Sequence, residues 1–241
     1  MARAHAEGHR VVLVVATGGE HGEMPADLAE GETLAQRRAT ETRSSAIELG
    51  VDRVEFLGYH DSGMTGWEQN ADPLAFMNAS IEHAATKLAA ILTEENVCTI
   101  TIYDWHGNYG HPDHIAVHRV GKRAAELAGT NNVYEATMNR DAVVGFMEAA
   151  RASGQTIEFD PNDTDDGIPF GMTEAELTTA VDVSSYIAMK RSSMTCHRSQ
   201  ITDSSFFLQM PPEAFSMAFG TEWFIRHGVP GGITESWLSG L

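Results

Sequence analysis

Hydrophobic and polar positions along the first 140 residues alternate between two spacings. "HRVVLVVA" (9–16) is an unbroken apolar run leading into "TGG", the mark of a strand buried on both faces. "ETLAQRRATETRSSAIELG" (32–50) then carries helical spacing and stops at a glycine. The pattern repeats with a strand at "DRVEFLG" (52–58), a helix at "NASIEHAATKLAAILTEEN" (78–96) and a strand at "VCTITIYD" (97–104). A helix at "DHIAVHRVGKRAAELAG" (113–129) and a strand at "NVYEATM" (132–138) complete it. Strands alternating with helices of this length predict an α/β fold with a parallel sheet wound by right-handed crossovers.

The last third is less regular. "DAVVGFMEAARASG" (141–154) and "SSYIAMKRSSMTCHRSQ" (184–200) read as helices, and "QTIEFDPNDTDDGIPFGM" (155–172) as an acidic loop rich in Pro and Gly. "PPEAFSMAFGTEWFIR" (211–226) reads as the apolar and aromatic segment that closes the fold. A chain of 241 residues, 42% of them hydrophobic, is expected to form a single domain, with 1–140 as the βα part and 141–241 completing a ligand crevice.

Charge removes several function classes. With 16 Lys and Arg against 34 Asp and Glu, the net charge of −18 repels phosphate backbones and anionic lipid, so neither nucleic acid nor membrane is an expected partner. The first apolar run is shorter than a membrane span or signal core. Cys98 and Cys196 read as two reduced, core-filling thiols, which suits a cytoplasmic protein better than a secreted scaffold.

Against that background one stretch stands out: "YDWHGNYGHPDHIAVHRVG" (103–121), four histidines where the third strand should release its chain. Ligand crevices of open α/β sheets lie at such strand ends. Pro112 suits the first turn of the next helix, leaving His111 in the loop and His114 at the helix start. Imidazoles in this position can bind a first-row metal, with Asp113 able to orient one of them; equally, "GHPDH" can serve as a helix cap, with His118 simply one turn further on. A catalytic zinc takes three protein ligands, and "HPDH" offers one or two. His21, His60 and His106 lie near strand ends without ligand-type spacing and read as solvated loop histidines.

Together "RRATE", "GYHDSGM", "YGHPDH" and "KRSSMTCHRSQ" resemble, in this order and over essentially the whole chain, the PIG-L (LmbE-like) metal-dependent deacetylases, in particular their actinobacterial mycothiol-pathway branch. The resemblance implies a Rossmann-like parallel sheet with helices on both faces and a smaller C-terminal portion. It also implies Zn2+ as cofactor and hydrolysis of the acyl group of a small N-acylated amino sugar or its thiol conjugate. By motif, His114 would be a zinc ligand and His111 the histidine that stabilises the oxyanion or protonates the amine. Asp113 would support a histidine, Tyr109 would polarise the carbonyl, and Arg38 and Asp61 would bind the sugar.

One departure matters. The family's first strand leads into an "HPDDE"-like loop that supplies two zinc ligands and the general base, and no such motif occurs in these 241 residues. The expectation is a sheet lacking its first strand, with weak or absent zinc binding and little activity in the chain as it stands, and a complete protein beginning upstream. The alternative is a non-catalytic sugar-binding or partner-binding remnant of the same fold.

Overall fold

The computed structural model describes residues 1–152, 154, 160–162, 164, 166–202 and 204–241, so part of the acidic loop read at 155–172 lies outside the described residues. In chain order the elements are α1 (Ala2–Ala6), β1 (Val12–Thr17), α2 (Leu34–Glu48), β2 (Arg53–Tyr59), α3 (Ile81–Glu94), β3 (Thr99–Tyr103) and a kinked turn of helix, α4 (Gly107–Gly110). There follow α5 (Pro112–Ala128), β4 (Asn132–Thr137), α6 (Arg140–Ala152), β5 (Thr179–Asp182), α7 (Ile187–Thr195), α8 (Phe206–Gln209), α9 (Pro212–Phe219) and β6 (Thr221–Arg226). They form two compact units, Met1–Ala79 with Val183–Gly220 and Ser80–Asp182 with Thr221–Leu241.

In the first unit β1 and β2 pair in parallel, Val12 opposite Arg53 through Val15 opposite Phe56. The crossover α2 starts on a capping box, in which the Thr33 hydroxyl accepts from the Gln36 amide and the Gln36 side chain accepts from the Thr33 amide. None of the six β1 residues is buried, although five are apolar.

The second unit holds a four-stranded sheet in the order β3–β4–β6–β5. β3 and β4 are parallel, Thr99 opposite Asn132 through Tyr103 opposite Ala136, and β6 runs antiparallel to both β4 and β5. The sheet is therefore mixed where the sequence pattern led us to expect parallel strands throughout. The segment 211–226 conceals a change of period at Gly220, helical before it and extended after it, and so supplies a strand as well as a helix. Among the described residues β1 and β2 form one sheet and β3, β4, β6 and β5 another.

α5 carries the crossover from β3 to β4 and lies on a core of Ile102, Ala125 and Val133, flanked by Ile100 and Val117. It packs against α3, whose buried face is Ala84, Ala85, Leu88, Ala89 and Leu92. Cys98 corrects the core-filling expectation: it is exposed just before β3, its thiol donating to the Gly240 carbonyl at 3.1 Å. Cys196 is half-buried at the end of α7, where burial raises its pKa. No helix among the described residues is long and apolar enough to cross a membrane.

The α5–β3 contact is tightest at Gly121, where a Cβ would stand 2.4 Å from Ile102 Cγ2. Gly121→Ala gains about 1 kcal/mol of helix propensity but overpacks a buried side chain. We expect a net loss on the order of 1–2 kcal/mol in urea unfolding; an unchanged midpoint would show that Ile102 can move aside.

Candidate active site

At the end of β3 the chain turns through Asp104, which has no solvent exposure. Its Oδ1 accepts from the backbone N–H groups of His106 (3.1 Å) and Asn108 (2.9 Å), and its Oδ2 accepts from the Thr137 hydroxyl of β4 (2.5 Å). A buried carboxylate survives because its charge is met by donors. The turn is tight: Gly107, Asn108 and Gly110 have φ of 66°, 67° and 82°. Gly107 is required for a second reason, since a Cβ there would lie 2.6 Å from the His114 Cβ.

The chain re-enters helix with His111 as N-cap and Pro112 in the first turn of α5. His111 Nδ1 accepts from the Asp113 amide at 3.1 Å, whereas His114 Nδ1 donates to the Gly107 carbonyl at 3.1 Å. These partners assign the protons in opposite ways. Neutral His111 carries its hydrogen on Nε2 as a donor, and neutral His114 carries it on Nδ1 and keeps a bare Nε2 lone pair. The two rings stand 4.9 Å apart, centroid to centroid. Tyr109 meets them edge-on at 6.1 and 5.2 Å, and the Tyr103 ring stacks on His114 at 3.9 Å.

Burial pulls the pKa of His114 down to about 4, with neighbouring His111 acting in the same direction and outweighing the Gly107 bond and the Asp104 charge. His114 is neutral at pH 7. Burial also raises the Tyr103 phenol.

Tyr109, His111, Asp113 and His114 are thus brought together in the second unit. Asp113 is buried, and its main-chain amide is what holds His111. His118 donates from Nδ1 to the Tyr103 carbonyl and braces the strand end. His106 corrects its reading as a solvated loop histidine: it is only 2% exposed, with Nε2 against Asp166 Oδ2 at 2.7 Å. His60 is half-exposed and pairs with Asp72, which raises its pKa.

Arg38 and Asp61 lie in the first unit. Asp61 accepts from the amides of Gly63 and His21, and its own amide donates to Glu20 Oε1, so it ties together the loops after β1 and β2. Arg38 donates to the Gly19 carbonyl at 2.6 Å, and its buried Nε has no partner among the described residues. Burial lowers its pKa, opposed by the charges of Asp61, Glu41 and Glu20. Glu41 accepts from the amide and hydroxyl of Ser199, which joins the "RRATE" and "CHRSQ" motifs. The buried His197 Nδ1 lacks a partner among the described residues, and burial lowers the His197 pKa. Glu20 and His197 were not singled out from the sequence, although His197 lies within the quoted "KRSSMTCHRSQ" and Glu20 next to His21.

The two histidines with opposed protons thus stand at a strand end on the βα framework of an α/β protein. Residues 1–125 match the PIG-L family model, described as GlcNAc-PI de-N-acetylase, and the chain belongs to that family. It is 35% identical over 237 residues to a 1D-myo-inositol 2-acetamido-2-deoxy-alpha-D-glucopyranoside deacetylase of Acidothermus cellulolyticus, covering 93% of this chain and 81% of that protein. A protein of the same name from Nocardiopsis dassonvillei is 38% identical over 221 residues, covering 84% and 78%. Its fold is similar to that of N,N'-diacetylchitobiose deacetylase from Pyrococcus horikoshii, with a TM-score of 0.56 at 21% identity, over 95% of this chain and 76% of that one.

PIG-L deacetylases are metalloenzymes. Here His114, neutral with a bare Nε2, has the chemistry of one ligand. Among the described residues, however, no group of three or more His, Cys, Asp or Glu side chains could hold a metal ion. Both oxygens of Asp104 accept hydrogen bonds, Oδ1 from the His106 and Asn108 amides and Oδ2 from the Thr137 hydroxyl. The described residues do not fit a complete zinc centre.

The depressed His114 pKa makes folding pH-dependent. An unfolded histidine titrates near 6.5, so below that pH the unfolded chain takes up the proton first. Stability that is complete above pH 6.5 is lost as the pH falls toward 4, by on the order of 3 kcal/mol in all. Denaturant unfolding from pH 7 to 4 should show this loss, and His114→Gln should flatten it. An identical slope in the variant would show that other groups cause it.

Proposed function

We propose that this chain is an N-deacetylase acting on an N-acetylated amino sugar, of the N-acetylglucosaminyl-inositol kind named for its relatives. The observation that supports this reading is the opposed pair of histidines beside Tyr109. Hydrolysis of the amide moves negative charge onto the acyl oxygen, and the Nε2–H of His111 and the Tyr109 phenol are the donors assigned to it. Holding Nδ1 in the Asp113 N–H bond keeps the His111 donor aimed without reorganisation. We assign Arg38 and Asp61 to the sugar hydroxyls, and Asp113 to the support of His111. His114 is assigned as a metal ligand. The other donors and the general base, which the family resemblance places in an "HPDDE"-like loop, are not among residues 1–241. Two free cysteines support a cytoplasmic location.

Acetate release from 1D-myo-inositol 2-acetamido-2-deoxy-alpha-D-glucopyranoside tests this reading, measured on residues 1–241 and on a longer polypeptide that supplies the upstream loop. The longer form should turn over. In it, His111→Ala should lower kcat by about 10²–10³ and Tyr109→Phe by about 10–10², both with little change in KM. Arg38→Ala should act mainly on KM. If the zinc-loaded longer form binds the sugar and releases no acetate, the assignment fails and a non-catalytic sugar-binding protein is the better reading.

Zinc binding is a separate test. By calorimetry, residues 1–241 should bind zinc weakly, because one histidine makes no closed or three-ligand site. Tight stoichiometric binding that is lost in His114→Ala would show that further ligands exist in this chain.

A further inference from the structure

We propose that Asp104 is a positioning residue that fixes the tautomer of His114, acting through the 104–108 turn whose Gly107 carbonyl it aims at Nδ1. The inference rests on reading His114 as a site histidine, but its geometry stands independently. Asp104 has no exposure, and a buried carboxylate is costly to keep. Its two bonds to the turn go to alternate amides, His106 and Asn108, which drives the intervening Gly107 peptide to present its oxygen to the other side. Asn108 is thereby held at φ 67°, ψ −60°, a conformation that side-chain-bearing residues rarely adopt. The Gly107 oxygen meets His114 Nδ1 at 3.1 Å, and the absence of a Cβ lets the two segments approach that closely.

The other end of Asp104 is anchored independently of the turn, by the Thr137 hydroxyl on β4 at 2.5 Å, while the Asp104 amide donates to the Ala136 carbonyl. The carboxylate therefore connects the β3–β4 ladder to the turn, and the turn to the imidazole. Without it the amides of His106 and Asn108 lose their buried acceptor, and the turn is left to main-chain bonds such as those from the Gly107 amide to the Asp104 carbonyl and from the Gly110 amide to the His106 carbonyl. Free imidazole prefers its hydrogen on Nε2, so His114 should revert to that form.

Long-range 1H–15N correlation on histidine-labelled residues 1–241 reads the tautomers directly, at a pH where His114 is neutral. The wild type should show a protonated Nδ1 and a bare Nε2. Asp104→Ala should shift the His114 tautomer ratio at least about tenfold toward Nε2–H, while His111, capped by the Asp113 amide, keeps its form. Asp104→Asn retains an acceptor oxygen for both amides and should restore the wild-type pattern, which a loss due only to destabilisation would not predict. Should Asp104→Ala not fold, Thr137→Val, which removes the anchoring donor, should still raise the Nε2–H fraction of His114.

A folded Asp104→Ala, or failing that Thr137→Val, with His114 still purely Nδ1–H overturns the inference. Failure of the deacetylase reading looks different: the zinc-loaded longer form would bind the sugar and release no acetate, whatever the His114 tautomer.

Discussion

A single backbone carbonyl governs the chemistry of the β3–α5 corner. The oxygen of Gly107 decides which nitrogen of His114 carries hydrogen, and it can reach that ring only because residue 107 has no side chain to strike the His114 Cβ. The surrounding contacts act on the same imidazole. Tyr103 stacks on its face, and the Tyr103 carbonyl is held by His118 one helical turn further along α5. Burial then keeps the ring neutral. A histidine with a fixed tautomer, a covered face and no charge is a preorganised lone pair, with less left to reorganise when a ligand arrives.

Helix capping and site chemistry, which looked like competing explanations of "GHPDH", are parts of one arrangement. His111 uses Nδ1 to cap α5 and so has Nε2–H left over as a donor; the cap determines the donor. Three residues on, His114 has the reverse polarity because its partner is an acceptor. Two identical side chains in one helical turn acquire opposite roles from the direction of one hydrogen bond each. Pro112 contributes by fixing the backbone between them at a position where its missing N–H is harmless.

Much of this was legible in the sequence. α2, α3 and α5 announce themselves by helical spacing, with Gly50 beyond the end of α2 and Pro112 at the start of α5, and β1 to β4 by apolar runs between them. β5 and β6 were not read. β5 is four residues long, and β6 follows α9 with only Gly220 between them, too little punctuation to separate the two periods. At the site, residue types and strand-end placement pointed to His111 and His114, and the family resemblance to Tyr109. Residue type does not tell whether an imidazole nitrogen donates or accepts, nor that Asp104 is wholly buried, nor that His106, in the same polar loop, is almost inaccessible. Those facts depend on the Thr137 hydroxyl and the Asp166 carboxylate, 33 and 60 residues away.

The acidic excess takes on a second meaning in this light. Read as composition, −18 describes a surface that repels anions. Yet several of these carboxylates serve as acceptors for main-chain amides. Asp104 holds the 104–108 turn, Asp61 holds His21 and Gly63, Glu41 holds Ser199, and Asp52 accepts from Val11 at the start of β1. A hydrogen bond to a charged group contributes about 1.5–3 kcal/mol, more than a neutral one. In the first unit this weighs heavily, because an apolar strand with no fully buried residue recovers only part of the stabilisation that burial gives. Side-chain acceptors that fasten loops to one another compensate there for apolar burial that β1 does not achieve. The same chemistry, a carboxylate set against backbone N–H groups, thus shapes the loops at Asp61 in one unit and the histidine corner in the other.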